Sequence, residues 1–292
     1  MIEIQAKTLL SRNKSPDDWF CCEYTYNLYR GCQHGCIYCD SRSRCFGIDN
    51  FETVRVKVNA VDVLRRELRR KPPGLVIGAG AMSDPYVPIE SRYGLSRKAL
   101  ELLCTYEQGV HLVTKSDLVV RDADLLRRAA DVHATVAFTI TAADDELAGL
   151  VEPGAPSSTR RFAAMAELAA AGVTTGVALM PVLPFIQDSE RNLTRIVELT
   201  AAAGGSFVVC YAGMTMREGQ REYFYTCLDR LFPGLRARYE RTYGDRYSCS
   251  CPNAAELAAA VTAACRRHGL MASMKEFAAA MRPRRPEQLR FF

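Results

Sequence analysis

Three cysteines, Cys32, Cys36 and Cys39, lie in the run Gly31-Cys32-Gln33-His34-Gly35-Cys36-Ile37-Tyr38-Cys39-Asp40. This Cys-x3-Cys-x2-Cys spacing offers three thiolates from one short loop, and no fourth cysteine continues the pattern. A [4Fe–4S] cluster normally takes four cysteine ligands, so three leave one iron open to a substrate or cofactor. Gly31 and Gly35 supply the backbone freedom that converging ligands need. The rival reading is a structural zinc site with His34 or Cys45 as fourth ligand. It fits less well, because such sites usually join Cys-x2-Cys to a distant second pair, and here a Cys-x3-Cys leads into it.

A loop of this kind needs a rigid frame, and the chain alternates strand-like and helix-like segments. A short aromatic strand over 24–30 leads into the cysteines. Apolar, β-branched runs predict further strands over 75–80, 110–114, 135–141, 174–179 and 206–211. Helices are expected over 61–70, over 96–106 with Ser96 as N-cap, and over 122–130. Two more fall over 161–171, opened by Ser157 or Ser158 and ended by Gly172, and over 190–203. Six strands separated by helices make repeated βαβ units and a parallel sheet. Polar residues follow the strand ends: the cysteine loop, Ser83-Asp84, Lys115-Ser116, and Thr139 with Thr141. Ligands of parallel α/β folds bind at the carboxyl ends of strands. The expected organisation is a lead-in over 1–23, one core over 24–244, and a C-terminal extension over 245–292 packed on it.

The formal net charge of +5 over 292 residues permits an anionic substrate without requiring one. Twelve cysteines are too few for a disulfide scaffold. The N-terminus has no apolar signal core, so a reducing cytoplasm is the expected setting, where clustered cysteines point to metal or catalysis. The uncharged stretch 168–186 reads as a helix end, a turn and a buried strand rather than a membrane span. Cys249, Cys251 and Cys265 lie beyond the core and leave open an auxiliary cluster. The other cysteines read as small buried hydrophobes and His111 and His133 as structural. Arg65, Arg66, Arg69 and Arg70 read as a solvated helix face. Arg217, Arg221, Tyr223, Phe224 and Tyr225 can grip a base or a peptide, but a helix core accounts for them better.

The cysteine motif after the first strand of a βα repeat resembles the radical S-adenosylmethionine (SAM) superfamily. Tyr29-Arg30-Gly31-Cys32 through Cys39, with Ser83-Asp84-Pro85-Tyr86, further resembles the spore photoproduct lyase-like group, whose members are often labelled DNA repair photolyases. The resemblance covers roughly residues 20–245. It implies an α/β fold, a partial (β/α)6 TIM-type barrel with N- and C-terminal extensions. It implies that Cys32, Cys36 and Cys39 hold a [4Fe–4S] cluster whose open iron binds SAM. SAM is then cleaved to methionine and a 5′-deoxyadenosyl radical, which abstracts hydrogen from a substrate. An electron donor such as ferredoxin or flavodoxin is implied as partner, with a nucleic acid or other anion as candidate substrate.

The same resemblance places Ser83 and Lys115 at SAM's methionine end, and an ammonium there can neutralise the carboxylate. Tyr38 resembles an aromatic residue near the adenine. Asp84 either accepts from SAM's ammonium or initiates the turn at Pro85. Thr139 and Thr141 are candidates for the ribose hydroxyls. Arg160 and Arg161, after Glu152-Pro153-Gly154-Ala155-Pro156-Ser157, are candidates for a carboxylate or an anionic substrate. The chain departs from the lyase at two positions: Ala81 stands where the lyase has its hydrogen-donor cysteine, and Asp40 where it has a relay tyrosine. The radical generator is thus expected without the lyase's quenching groups. The alternative is a non-catalytic zinc- or iron–sulfur-binding protein.

Overall fold

The computed structural model describes residues 1–282. Six parallel strands follow one another in chain order: β1 (Tyr24–Tyr26), β2 (Val76–Ala79), β3 (Gly109–Thr114), β4 (Ala134–Thr139), β5 (Thr174–Leu179) and β6 (Phe207–Cys210). Each pairs with its successor. Covered on both faces, they are apolar almost throughout, and every residue of β4 is buried. The intervening helices are α1 (Ala60–Leu68), α2 (Leu95–Thr105), α3 (Ala123–Ala129), α4 (Ser158–Ala170) and α5 (Glu190–Ala202). The result is a partial TIM-type barrel rather than a closed one. The strand Ser11–Arg12 pairs antiparallel along the free edge of β1, and Met271 bridges to Phe207 on the other edge.

Segments before β1 and after β6 pack together against the strand residues Val76, Ala137, Ala178 and Val209. Phe20 stacks on His111 of β3 with ring centroids 4.1 Å apart. Phe277, from the C-terminal helix Met274–Met281, meets Phe20 and Phe207 edge-on. His111 Nδ1 lies 2.6 Å from Thr135 Oγ1, and burial pushes this imidazole well below its ordinary pKa. This packed floor leaves the carboxyl ends of the strands for the site.

Three local expectations change. The strand expected over 24–30 divides at Asn27, because Asn27 Oδ1 accepts the main-chain N–H groups of Met82 and Ser83. Its second half, Tyr29–Arg30, joins a separate sheet with Arg55–Lys57 and Ile2–Ile4. Ser96 does not cap α2. Gly94 occupies that position, and the buried Ser96 hydroxyl donates to the Pro85 carbonyl. β4 ends at Thr139, so Thr141 lies outside the strand. The uncharged stretch divides into the end of α4, a turn at Gly172, β5 and the loop after it. Among the described residues, no helix is long and apolar enough to cross a membrane.

After β6, a short strand Gly213–Thr215 pairs with Ser248–Ser250. Helices Gln220–Leu231 and Leu235–Tyr243 between them pack Phe224, Tyr239 and Tyr243 against Ile37 and Tyr38 of the cysteine loop. The aromatic run near 223–225 is therefore largely core that braces the site from outside.

Candidate active site

All six strand ends open on one cavity of about 470 Å³. Cys32, Cys36, Tyr38 and Cys39 line it after β1, and Gly80 to Asp84 after β2. Lys115 follows β3, Thr139 ends β4, Met180 and Pro181 follow β5, and Tyr211 follows β6. Trp19 reaches it from the barrel interior. Each strand end of a parallel barrel delivers side chains to such a mouth, and here they include a polar or aromatic group at every strand end but that of β5.

The cysteine loop is strapped on two sides. Cys32 N–H donates to the Phe51 carbonyl at 3.2 Å. Gly31, at φ +83°, lies so close to this carbonyl that a Cβ would stand 2.4 Å from its oxygen, so only glycine fits. On the other side, Ile37 N–H donates to the Val151 carbonyl at 3.0 Å, and Gly154 N–H to the His34 carbonyl at 2.9 Å. A Cβ on Gly154 would stand 2.2 Å from the Gln33 oxygen. The segment from Val151 to Gly154 thus holds the cysteine loop by main-chain bonds.

Beneath the loop lies a buried charged network. The Tyr38 hydroxyl donates to Glu152 Oε1. Arg161 Nη1 donates to Glu152 Oε2 at 2.5 Å and to the Thr139 carbonyl at 2.8 Å, with Arg161 and Glu152 each 1% exposed. Lys115 Nζ stands 3.9 Å from Glu152 Oε1 and 5.7 Å from the Tyr38 ring centre. Burial alone would raise the Glu152 carboxyl, but the Arg161 and Lys115 charges hold it below its ordinary range. Burial would lower Lys115, yet the charges of Cys36 and Glu152 raise it, so the ammonium is kept. Arg161, a candidate together with Arg160 for a carboxylate or an anionic substrate, pairs instead with Glu152 of this chain, and nothing in the spacing marked the two as the inward pair.

Asp84 ties three segments together. Oδ1 accepts from Tyr86 N–H at 2.8 Å and Thr114 Oγ1 at 2.7 Å, and Oδ2 accepts from Lys115 N–H at 2.7 Å. His34 Nε2 lies 3.0 Å from Oδ2, but outside hydrogen-bond geometry, so this pairing is electrostatic. Burial opposes ionisation, but His34 and the three donors outweigh it and hold the carboxyl at about 2, against an ordinary 3.8. The ionised group therefore stabilises the fold above about pH 4, by about 2 kcal/mol, and loses this as pH falls through about 2. Asp84→Asn is expected to melt earlier than the parent at pH 7 in calorimetry, with the gap narrowing below about pH 4 and closing only near pH 2. A gap that stays constant with pH would contradict the charge as the cause.

The radical SAM superfamily profile matches residues 26–195. An uncharacterized protein of Mycobacterium tuberculosis is 36% identical over 228 residues, covering 75% of this chain and 67% of that one. A radical SAM Nα-GlyT isomerase of Pseudomonas phage M6 is 23% identical over 61% of this chain and 36% of its own length. The chain belongs to the radical SAM superfamily. Its fold is that of spore photoproduct lyase. A lyase variant solved with AdoMet and a dinucleoside spore photoproduct superposes with TM-score 0.72 at 19% identity, over 93% of this chain and 80% of that one.

Radical SAM proteins use a [4Fe–4S] cluster and SAM, and need a reductant. The donor set fits a cluster. Cys32 and Cys36 are buried and Cys39 is partly exposed, all three on the cavity wall. Burial, then the Asp84 charge, pushes the Cys32 thiol up to about 12; burial also pushes the Cys36 and Cys39 thiols up, opposed in part by the Lys115 charge at Cys36 and by the Ser41 main chain, then Lys115, at Cys39. Among the described residues no three such side chains converge on a single-ion site. Thiolates spread around a polynuclear cluster stand further apart than those around one zinc ion. Both proposed fourth zinc ligands are engaged elsewhere. His34 Nδ1 lies 3.2 Å from the Gly154 carbonyl, and the exposed Cys45 sits 3.5 Å from Arg217 Nη1.

The radical SAM cavity receives some of the residues assigned to SAM and not others. Tyr38, Ser83, Asp84, Lys115 and Thr139 line it. Ser83 Oγ meanwhile donates to the Gly31 carbonyl at 2.7 Å, and so also fixes the start of the cysteine loop. Thr141 lies outside, because its hydroxyl accepts from Gln187 Nε2 at 2.8 Å. Arg160 also lies outside. Its side chain is 65% exposed and pairs with Asp117 at 2.5 Å, since the helix turns Arg161 inward instead. Ala81 and Asp40 both line the cavity. Cys249 belongs to the outer core, while Cys251 and Cys265 belong to the barrel core, so the three do not share one pocket. Met180, Met214 and Tyr211 were not anticipated. The signal for Met180 and Tyr211 was only their place just after a strand, and Met214 lies within the short strand Gly213–Thr215.

Proposed function

We propose that this chain is a radical SAM enzyme in which Cys32, Cys36 and Cys39 hold the [4Fe–4S] cluster and Lys115 receives the SAM carboxylate. The observation that supports this reading most is the convergence of the three cysteines, Ser83 and a charged, partly buried Lys115 on one cavity. With SAM bound, the cluster supplies reductive cleavage to methionine and a 5′-deoxyadenosyl radical, for hydrogen abstraction from substrate. The residues' own tasks are to orient and to shield. Lys115 neutralises a carboxylate, with Glu152 and Arg161 fixing its position. Tyr38 and Thr139 offer an aromatic edge and a hydroxyl for the nucleoside, and Trp19 with Met180 closes the apolar side.

The lyase neighbour's dinucleoside substrate, with the mild positive charge here, favours a nucleic acid or another anion as substrate. An alanine methyl at 81 and an aspartate carboxyl at 40 cannot donate a hydrogen atom usefully. The product radical is therefore quenched differently than by a cysteine and a tyrosine at those two positions. Anaerobic reconstitution is expected to give about four irons per chain, and dithionite with SAM to release 5′-deoxyadenosine. A fully loaded protein that never cleaves SAM would refute the proposal.

A further inference from the structure

The small sheet beside the cysteine loop carries an arrangement that stability alone disfavours. Arg30 and Arg55 stand directly opposite each other on antiparallel strands. Like charges in that register repel. Lys57 lies two residues further along the same strand, and burial together with the Arg30 charge pushes its ammonium below its ordinary range. Tyr29 and Val56, the alternating neighbours, are buried, so the three cations share the outer face.

Their charges are not compensated. Arg30 Nη2 donates to the Phe46 and Gly47 carbonyls, each at 2.8 Å. Arg55 Nη2 donates to the Asp49 carbonyl at 2.7 Å, and Lys57 Nζ to the Asn27 carbonyl at 2.7 Å. These are neutral main-chain acceptors, and among the described residues none of the three cations pairs with a carboxylate. On the third strand Ile2 stands in register with Arg55 and is 48% exposed. The face is thus an apolar residue beside three unneutralised cations. Fixed uncompensated charge of one sign attracts a partner of the other.

Its position indicates which partner. Arg30 precedes Gly31-Cys32 directly, and Phe51, in the loop these cations brace, accepts the Cys32 N–H. None of the three lines the substrate cavity. The face therefore sits behind the ligand loop rather than at the mouth where a substrate enters.

We propose that Arg30, Arg55 and Lys57, with Ile2, form the docking surface for an acidic one-electron carrier protein. This rests on the reading that Cys32, Cys36 and Cys39 hold the cluster. The carrier's reduced cofactor gives up one electron and the cluster gains it, with no bond made or broken.

The test uses reconstituted full-length enzyme and a purified flavodoxin as the acidic carrier, following bleaching of the cluster absorbance anaerobically. Reduction by the carrier is expected to slow steeply with rising salt, and to fall about tenfold or more at low salt in Arg55→Glu and in Lys57→Gln. Reduction of both variants by dithionite is expected to match the parent, which separates docking from damage to the loop. Carrier rates unchanged in both variants, or insensitive to salt, would overturn the proposal. So would variants that instead lose affinity for a short single-stranded DNA while accepting electrons normally. A parent protein whose cysteines bind no dithionite-reducible cluster would remove the underlying reading, and the docking role with it.

Discussion

Replacing any one of Cys32, Cys36 and Cys39 by alanine is expected to abolish the cluster and with it all 5′-deoxyadenosine formation. The effect is all-or-none, because on the proposed assignment each thiolate would hold a different iron and the open fourth position would leave no spare ligand. Reconstituted variants should carry little iron and lack the brown colour of the parent. Cys45→Ala and Cys249→Ala are the controls and should load normally. Cys45 is exposed on the far side of Arg217, and Cys249 is buried in the outer core. A Cys36→Ala protein that still bound about four irons and cleaved SAM would refute the assignment. Loss of iron in Cys45→Ala would instead revive a four-ligand site.

Arg161→Leu is expected to be the most damaging single change away from the cysteines. It leaves Glu152 buried, with only Lys115 at 3.9 Å and the Tyr38 hydroxyl to satisfy it. Breaking a buried ion pair from one side typically costs about 3–5 kcal/mol. For a chain of this size that is a fall in Tm of roughly 10 °C. The pH dependence carries the diagnosis. In the parent, Glu152 is held below its ordinary range, so its contribution is present above the unfolded value near 4.5 and lost as pH falls through the lower folded value. In the variant burial dominates, the carboxyl rises, and protonation relieves the penalty. The gap between parent and variant should therefore narrow as pH falls, from the variant's raised value above 4.5 down to the parent's lowered value below it.

Adding Glu152→Gln to Arg161→Leu should recover part of the loss, since it removes the stranded charge. If the double variant were as unstable as the sum of the singles, the pair would not be coupled. Tyr38 and Lys115 both lean on Glu152, so Arg161→Leu should also weaken SAM binding more than it affects cluster content. Equal loss of both would point to general collapse of the loop.

The residues at 32, 36 and 39 determined the chemistry without help from the fold. Ligand identity and short-range spacing are local properties, and a loop between two glycines can close around a cluster wherever it is placed. The βαβ alternation was equally legible, because strands buried on both faces must be continuously apolar and their helices must be amphipathic. What tertiary structure decided was direction and competition. Arg160 and Arg161 are chemically identical neighbours, and only the packing of α4 against β5 turns the second inward to Glu152 and the Thr139 carbonyl and the first to Asp117. Thr141 looked equivalent to Thr139 by strand period, but β4 stops between them and Gln187 takes the second hydroxyl. Asp84 could not be read as a tie for three segments, because His34 and Thr114 are distant in sequence and meet it only at the barrel mouth. The opposed Arg30 and Arg55 belong to the same class, since cross-strand register exists only once the strands pair.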